Sequence, residues 1–165
     1  MYLFLKPVFM GEVDSLPVNE TIDLSEVDFQ HIHPFAAPIT VQGEIRSLAE
    51  VVSMHATATV EFHGVCDRCA EPFERTLTIP MEHILVTSVD NAENDDEFLL
   101  VENYRLDLTT LTEADVLLEL PSKQLCRKDC KGLCPRCGQN LNNGSCDCRT
   151  EDGDPRLAVL KQLLK

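Results

Sequence analysis

The sequence predicts an α+β protein: a β-rich antiparallel body that carries one helix, then a cysteine-rich tail and a C-terminal helix. Three observations carry that prediction. Residues 39–62 alternate apolar and polar with a period of two, as strands with one buried face do. From residue 107 the apolar spacing becomes helical. Six of the eight cysteines fall in LCRKDCKGLCPRCGQNLNNGSCDC, residues 125–148.

Taken in order, residues 1–38 show no firm period, and VNETIDLSEVDF suits either a short strand or a helix. In ITVQGEIRS, Ile39, Val41, Gly43 and Ile45 oppose Thr40, Gln42, Glu44 and Arg46. Val52, Met54, Ala56, Ala58, Val60 and Phe62 then oppose Ser53, His55, Thr57, Thr59 and Glu61. Phe73, Leu77, Ile79 and Met81 continue the pattern, with Arg75 interrupting it. HILVTSV from His83 and EFLLVEN from Glu97 are further strands, separated by the acidic loop DNAENDDE at 90–97. In DLTTLTEADVLLELP, Leu108, Leu111, Val116, Leu117 and Leu120 recur at helical spacing; Asp107 or Thr110 caps the start and Pro121 stops it. Asp154 and Pro155 open a last helix with a stripe of Leu157, Leu160, Leu163 and Leu164, expected to dock on the core. The chain thus divides into a body, 1–121, with its helix at about 108–120, and a tail with terminal helix, 122–165, docked on that body.

The 165 residues are 44% hydrophobic, enough for a core, with a net charge of −14. Residues 1–121 hold five basic and 23 acidic residues, whereas 122–165 hold nine and five. An acidic body repels phosphate and attracts basic partners. Lys128, Lys131, Arg136 and Arg149 of the tail are the candidate nucleic-acid contacts, although thiolate–zinc centres, being anionic, neutralise part of that charge. MYLFLKPVFMGEVDS lacks a basic start and a small-residue cleavage site, and no apolar run reaches membrane-spanning length, so a cytoplasmic protein is expected.

The cysteines come in short-spaced pairs: Cys66 with Cys69, Cys126 with Cys130, Cys134 with Cys137, and Cys146 with Cys148. Such spacing delivers two thiolates to one tetrahedral Zn²⁺ at about 2.3 Å each. In CPRCG, Gly138 permits the turn that follows the second ligand, giving the tail a zinc-ribbon-like look. Two structural zinc ions are expected, one on Cys66, Cys69, Cys126 and Cys130, the other on Cys134, Cys137, Cys146 and Cys148. The alternative is a single tail site, such as Cys130, Cys134, Cys137 and Cys148, with the rest as free thiols. Between 125 and 152 the only other large apolar residues are Leu125, Leu133 and Leu141, too few for a core, so metal would supply the folding energy.

Disulfides, a thioredoxin-like role for CDRC and an iron–sulfur cluster are the rivals to zinc. His63, three residues before Cys66, is a further candidate ligand, against the simpler reading as an ordinary half-buried histidine. P-loop, GxSxG and HExxH motifs are absent, and four-thiolate sites leave no open position for catalysis, so no enzyme is expected.

CDRCAEPF after a β pattern, then DLTTLTEADVLLELP, CKGLCPRCGQNLNNGSCDC and DPRLAVLKQLL, in that order, resemble the bacterial YceD family of large ribosomal RNA subunit accumulation proteins, from about residue 40 onward. The resemblance implies a cytosolic factor needed for accumulation of large-subunit (23S) ribosomal RNA, acting in ribosome biogenesis or ribosomal RNA stability, and brings no defined chemistry with it; with the absence of catalytic motifs, a non-enzymatic, zinc-stabilised factor is expected. Some members keep the CxRC pair and a His or Cys near position 126 while the tail is reduced, which the resemblance adds in favour of Cys66 and Cys69 sharing a site with Cys126 and Cys130. The expected partners are large-subunit ribosomal RNA or its precursor particle, with no membrane and no small-molecule substrate. The alternative is an acidic module or chaperone for a basic ribosomal protein, and a thiol-dependent redox enzyme is the remaining reading.

Overall fold

The structure, a computed structural model, describes residues 1–88 and 98–148. Arg149, the acidic loop 90–97 and the expected C-terminal helix lie outside the described residues.

Strand β1 (Tyr2–Phe4) and a short helix α1 (Lys6–Phe9) lead into β2 (Ser15–Ile22), β3 (Ile39–Leu48), β4 (Val51–Val65) and β5 (Pro72–Val86). A three-residue β6 (Phe98–Leu100) follows, then a 3₁₀ turn, β7 (Arg105–Asp107) and helix α2 (Leu108–Glu119). Strands β2 to β6 form one curled sheet in chain order, and β1 pairs with β7 in a separate two-stranded ribbon.

The alternation in the sequence builds the core directly. Ile39, Val41 and Ile45 of β3 and Val52, Met54, Ala58, Val60 and Phe62 of β4 all point inward and are buried. Phe62 makes edge contacts with Phe29 and Phe35, with ring centroids 6.4 and 6.3 Å apart. Burying such a side chain contributes about 2–3 kcal/mol. The N-cap of α2 is Asp107, whose Oδ1 accepts from the backbone N–H groups of Thr109 and Thr110 at 3.2 and 3.4 Å. His83 of β5 and Asp115 of α2 meet at 2.7 Å and tie the helix to the sheet.

Three features differ from the sequence reading. VNETI belongs to β2, so the first five residues of the undecided segment are strand, and the rest, 23–29, is loop and turn. Phe73–Met81 and the HILV segment are one strand, β5, which runs through Pro80 opposite Thr57. β6 pairs with β5 only over Ile84–Val86, so among the described residues Pro80 meets no ladder on its outer side, where its missing N–H costs nothing. That β5–β6 pairing is parallel, whereas the body was expected to be antiparallel throughout.

The feature that positions the site is the β4–β5 hairpin. Its fourteen-pair ladder runs from Val52↔Leu85 to Val65↔Pro72, about 45 Å at about 3.3 Å per residue. Its tip is CDRCAE, residues 66–71.

Candidate metal centre

The buried row of β4 does not stop at the strand's end. Val60, Phe62 and Gly64 face inward, and two residues on, Cys66 is buried too. The first thiol is thus aimed by the pleat of the core strand. The next four residues form a tight turn: Ala70 N–H donates to the Cys66 carbonyl oxygen at 2.8 Å, and Cys66 N–H donates to the Glu71 carbonyl oxygen at 2.9 Å. Ala70 takes a left-handed φ of 56°.

Residues 134–139 repeat that turn. Gly138 N–H donates to the Cys134 carbonyl oxygen at 2.9 Å, Cys134 N–H donates to the Gln139 carbonyl oxygen at 2.8 Å, and Gly138 has φ 72°. Two CxxC knuckles with one hydrogen-bond pattern therefore stand in the chain, one at the hairpin tip and one in the tail.

After Pro121 the chain folds back onto the tip. Asp67 and Gln124 exchange two bonds: Asp67 N–H donates to the Gln124 carbonyl oxygen at 2.8 Å, and Gln124 N–H donates to Asp67 Oδ2 at 2.7 Å. Gln124 is buried, and its Nε2 donates to the Pro121 carbonyl oxygen at 2.7 Å. Arg68 Nη1 donates to the Cys130 carbonyl oxygen at 2.9 Å, and Leu133 N–H donates to the Arg68 carbonyl oxygen at 2.9 Å. Gly132, at φ 75°, makes the latter approach possible: a Cβ there would lie 2.9 Å from the Arg68 carbonyl oxygen. Arg75, which interrupts the strand alternation, donates through Nη2 to the Leu125 carbonyl oxygen, with its guanidinium 5.3 Å above the Phe73 ring. Each of these bonds joins body to tail.

The fold-back brings the eight thiols into two groups. Cys66, Cys69, Cys126 and Cys130 form one, and Cys134, Cys137, Cys146 and Cys148 the other, with the sulfurs of each group within 4.8 Å of one another. Cys66 and Cys130 sulfurs are 3.8 Å apart, and those of Cys69 and Cys126 3.7 Å. Four sulfurs at about 2.3 Å from a central Zn²⁺ stand about 3.8 Å from each other, so the first group has the dimensions of a tetrathiolate zinc site. Either group could hold a metal ion.

The electrostatics point the same way. Burial raises the Cys66 thiol pKa, but the backbone N–H groups of Cys126, Cys69 and Arg68 outweigh it and bring it down to about 6. The N–H groups of Cys137 and Arg136 bring Cys134 to about 6 as well. Burial, followed by the thiols of Cys66, Cys130 and Cys69, pushes Cys126 up to about 12. The thiol of Cys137, with burial, pushes Cys148 up to about 12. Each group therefore stabilises some thiolates and resists the last, because four negative charges cannot sit this close without a cation between them.

Of the other candidates, His63 lies outside both groups. It pairs across the ladder with Glu74, Nδ1 to Oε1 at 3.4 Å, because its strand position points away from the row that ends in Cys66. Lys128, Lys131 and Arg136 are exposed on the tail. The sequence reading missed Asp67, Arg68, Arg75, Gln124 and Asn140, which join tail to tip, and Asn142, whose amide bonds Cys130 within the tail. The run QNLNNGS between the last two cysteine pairs was a legible signal for polar donors near thiolates, and was passed over.

Among the described residues, no helix is long and apolar enough to cross a membrane. No solved structure matches the chain. An uncharacterized protein of Mycobacterium tuberculosis (strain H37Rv) is 32% identical over 123 residues, which cover 73% of this chain and 59% of that protein. The uncharacterized protein YlbN of Bacillus subtilis is 27% identical over 157 residues, 92% of this chain and 89% of the relative. The Arabidopsis thaliana chloroplastic YCED homolog 1, named as a large ribosomal RNA subunit accumulation protein, is 42% identical over 48 residues, 29% of this chain and 15% of that protein. The chain thus spans 59% of the length of the mycobacterial relative. The family model described as large ribosomal RNA subunit accumulation protein YceD matches residues 52–164, from the strand that aims Cys66 through both thiol groups, and the chain belongs to that family.

Proposed function

We infer that this chain is a non-enzymatic, zinc-stabilised factor for the accumulation of large-subunit ribosomal RNA, acting in the cytoplasm during ribosome biogenesis. The family match over 52–164 carries the reading, since it covers the hairpin, the helix and the tail together. Zinc is the metal that four thiolates at tetrahedral spacing suit best, one ion in each group, with the tail as a ribbon-like module on the hairpin tip. The groups hold no histidine or carboxylate and leave no ligand position open, which favours a structural role for the metal.

The exposed Lys128, Lys131 and Arg136, with Arg149, would meet ribosomal RNA phosphates of the large-subunit precursor. The test is depletion of the protein from its cell, with large- and small-subunit ribosomal RNA quantified together. The reading expects selective loss of the large-subunit RNA, restored by the wild-type chain and not by Cys66→Ser. Equal levels of both RNAs in depleted cells would contradict it.

One observation favours a second reading. The acidic excess of residues 1–121 suits a basic ribosomal protein held before its incorporation. Ultraviolet crosslinking that recovers large-subunit RNA favours the first reading; a pull-down at low salt that recovers one basic ribosomal protein favours the second.

A further inference from the structure

The two thiol groups are linked by a side chain that belongs to neither. Asn142 lies in the loop between Cys137 and Cys146 of the second group, yet its Nδ2 donates to Cys130 Sγ of the first at 3.3 Å. The amide is held by its neighbours. Its Oδ1 accepts from Lys131 N–H at 2.9 Å, which settles which end of the amide faces the sulfur. Nδ2 and the backbone N–H of Asn142 both donate to Asn140 Oδ1, at 2.9 and 3.0 Å. Asn140 Nδ2 in turn donates to Glu71 Oε1 at 3.1 Å, two residues beyond Cys69. The loop that spans the second group thus rests on both chain segments that supply the first.

We propose that the two groups bind metal as one cooperative unit, with Asn142 as the positioning residue that couples them. The proposal rests on the reading that both groups hold metal. A metal on the second group closes residues 134–148 and orders the loop that carries Asn142. The ordered amide then donates to Cys130, offsetting part of the negative charge that four thiolates leave on a divalent ion. By linkage, a metal on the first group favours the second by the same factor. The groups differ in exposure: in the second, Cys134 is buried, Cys137 exposed, and Cys146 and Cys148 half-buried, whereas in the first Cys66, Cys69 and Cys130 are buried and Cys126 half-buried.

The experiment titrates the metal-free full chain with zinc and weighs it by native mass spectrometry at one metal per chain. Coupling predicts that metal-free and two-metal chains dominate, with one-metal chains well below the share of about half that two equal, independent sites give. Asn142→Ala is expected to weaken the first group about 10–100-fold and make the one-metal chain dominant. Asn142→Asp keeps the oxygen that accepts from Lys131 but loses the donor to sulfur, so it is expected to fail as Ala does. With cobalt in place of zinc, both variants move the first group's thiolate charge-transfer bands to lower energy. Wild-type protein with half or more one-metal chains, or an Asn142→Asp chain that behaves as wild type, overturns the coupling and leaves two metal sites standing. A chain that binds no metal overturns the coupling and the metal reading together.

Discussion

The knuckles at 66–71 and 134–139 share a hydrogen-bond pattern but not a setting. The first is the end of a core strand: Cys66 extends the buried row of β4, and its group packs against Phe73 and Leu125. The second stands in a tail, with Cys137 and Leu133 exposed and Leu141 half-buried. The first also tolerates an imperfect residue. Ala70 occupies the left-handed position that Gly138 fills in the second. An alanine there costs about 1 kcal/mol relative to glycine, a strain that a turn seated on a long hairpin sustains. Where no core backs the turn, the sequence uses glycine. The comparison separates two sources of order, apolar burial in the body and, on the proposed reading, thiolate–metal bonds in the tail.

Metal removal should break the comparison most strongly. Chelation at neutral pH is expected to release residues 122–148 while the sheet and α2 stay folded, since on the proposed reading the metal would be the main folding energy of the tail alone. Hydrogen exchange checks this: amides of Cys130, Leu133 and Leu141 lose protection, and those of β3 and β4 keep it. Simultaneous loss in both regions would show that the body depends on the tail.

Single ligand changes come next. Cys66→Ser is expected to free the tail from the hairpin, with loss of protection at Asp67 and Gln124, whose mutual bonds hold the two together. Cys134→Ser should leave those two amides protected, with a metal still bound at the first group. Metal counting and amide exchange on both variants read the difference.

Gly132→Ala strikes the join between the knuckles. The residue has φ 75°, and its new Cβ would press on the Arg68 carbonyl oxygen. A loss of about 2 kcal/mol in tail stability is expected, read by chelator competition against the wild type.

The smallest effects belong to the turns themselves. Gly138→Ala meets no atom within 4 Å, so only its positive φ is penalised, by about 1 kcal/mol. Ala70→Gly should relieve strain and raise the metal affinity of the first group slightly. Thermal melts of the metal-loaded variants should move in opposite directions.

The strands at 39–48 and 51–65 were legible because one face of each is buried, which forces alternation. Helix α2 was legible from Asp107, the leucine spacing and Pro121. Other elements left weaker marks. The turn between β3 and β4 places Ala49 and Glu50 at positive φ, without the asparagine or glycine that signals a tight hairpin. Pro80 reads as a strand break, and β5 passes through it where, among the described residues, no strand pairs on its outer side. β1 is three residues long and owes its place to β7, a pairing across the whole body that no local pattern encodes. The cysteine pairs were visible as pairs; their grouping depends on the fold-back made by Asp67, Gln124, Arg68 and Arg75, which are ordinary polar residues in sequence.

The central claim is that the tail is ordered by metal held in two tetrathiolate groups, one of them built into the hairpin tip. Metal content of the natively purified full chain tests it most directly, by elemental analysis against protein concentration. The account predicts two zinc ions per chain, falling to one in Cys134→Ser. A natively purified chain that carries no metal, with residues 122–148 nonetheless protected from exchange, would contradict it.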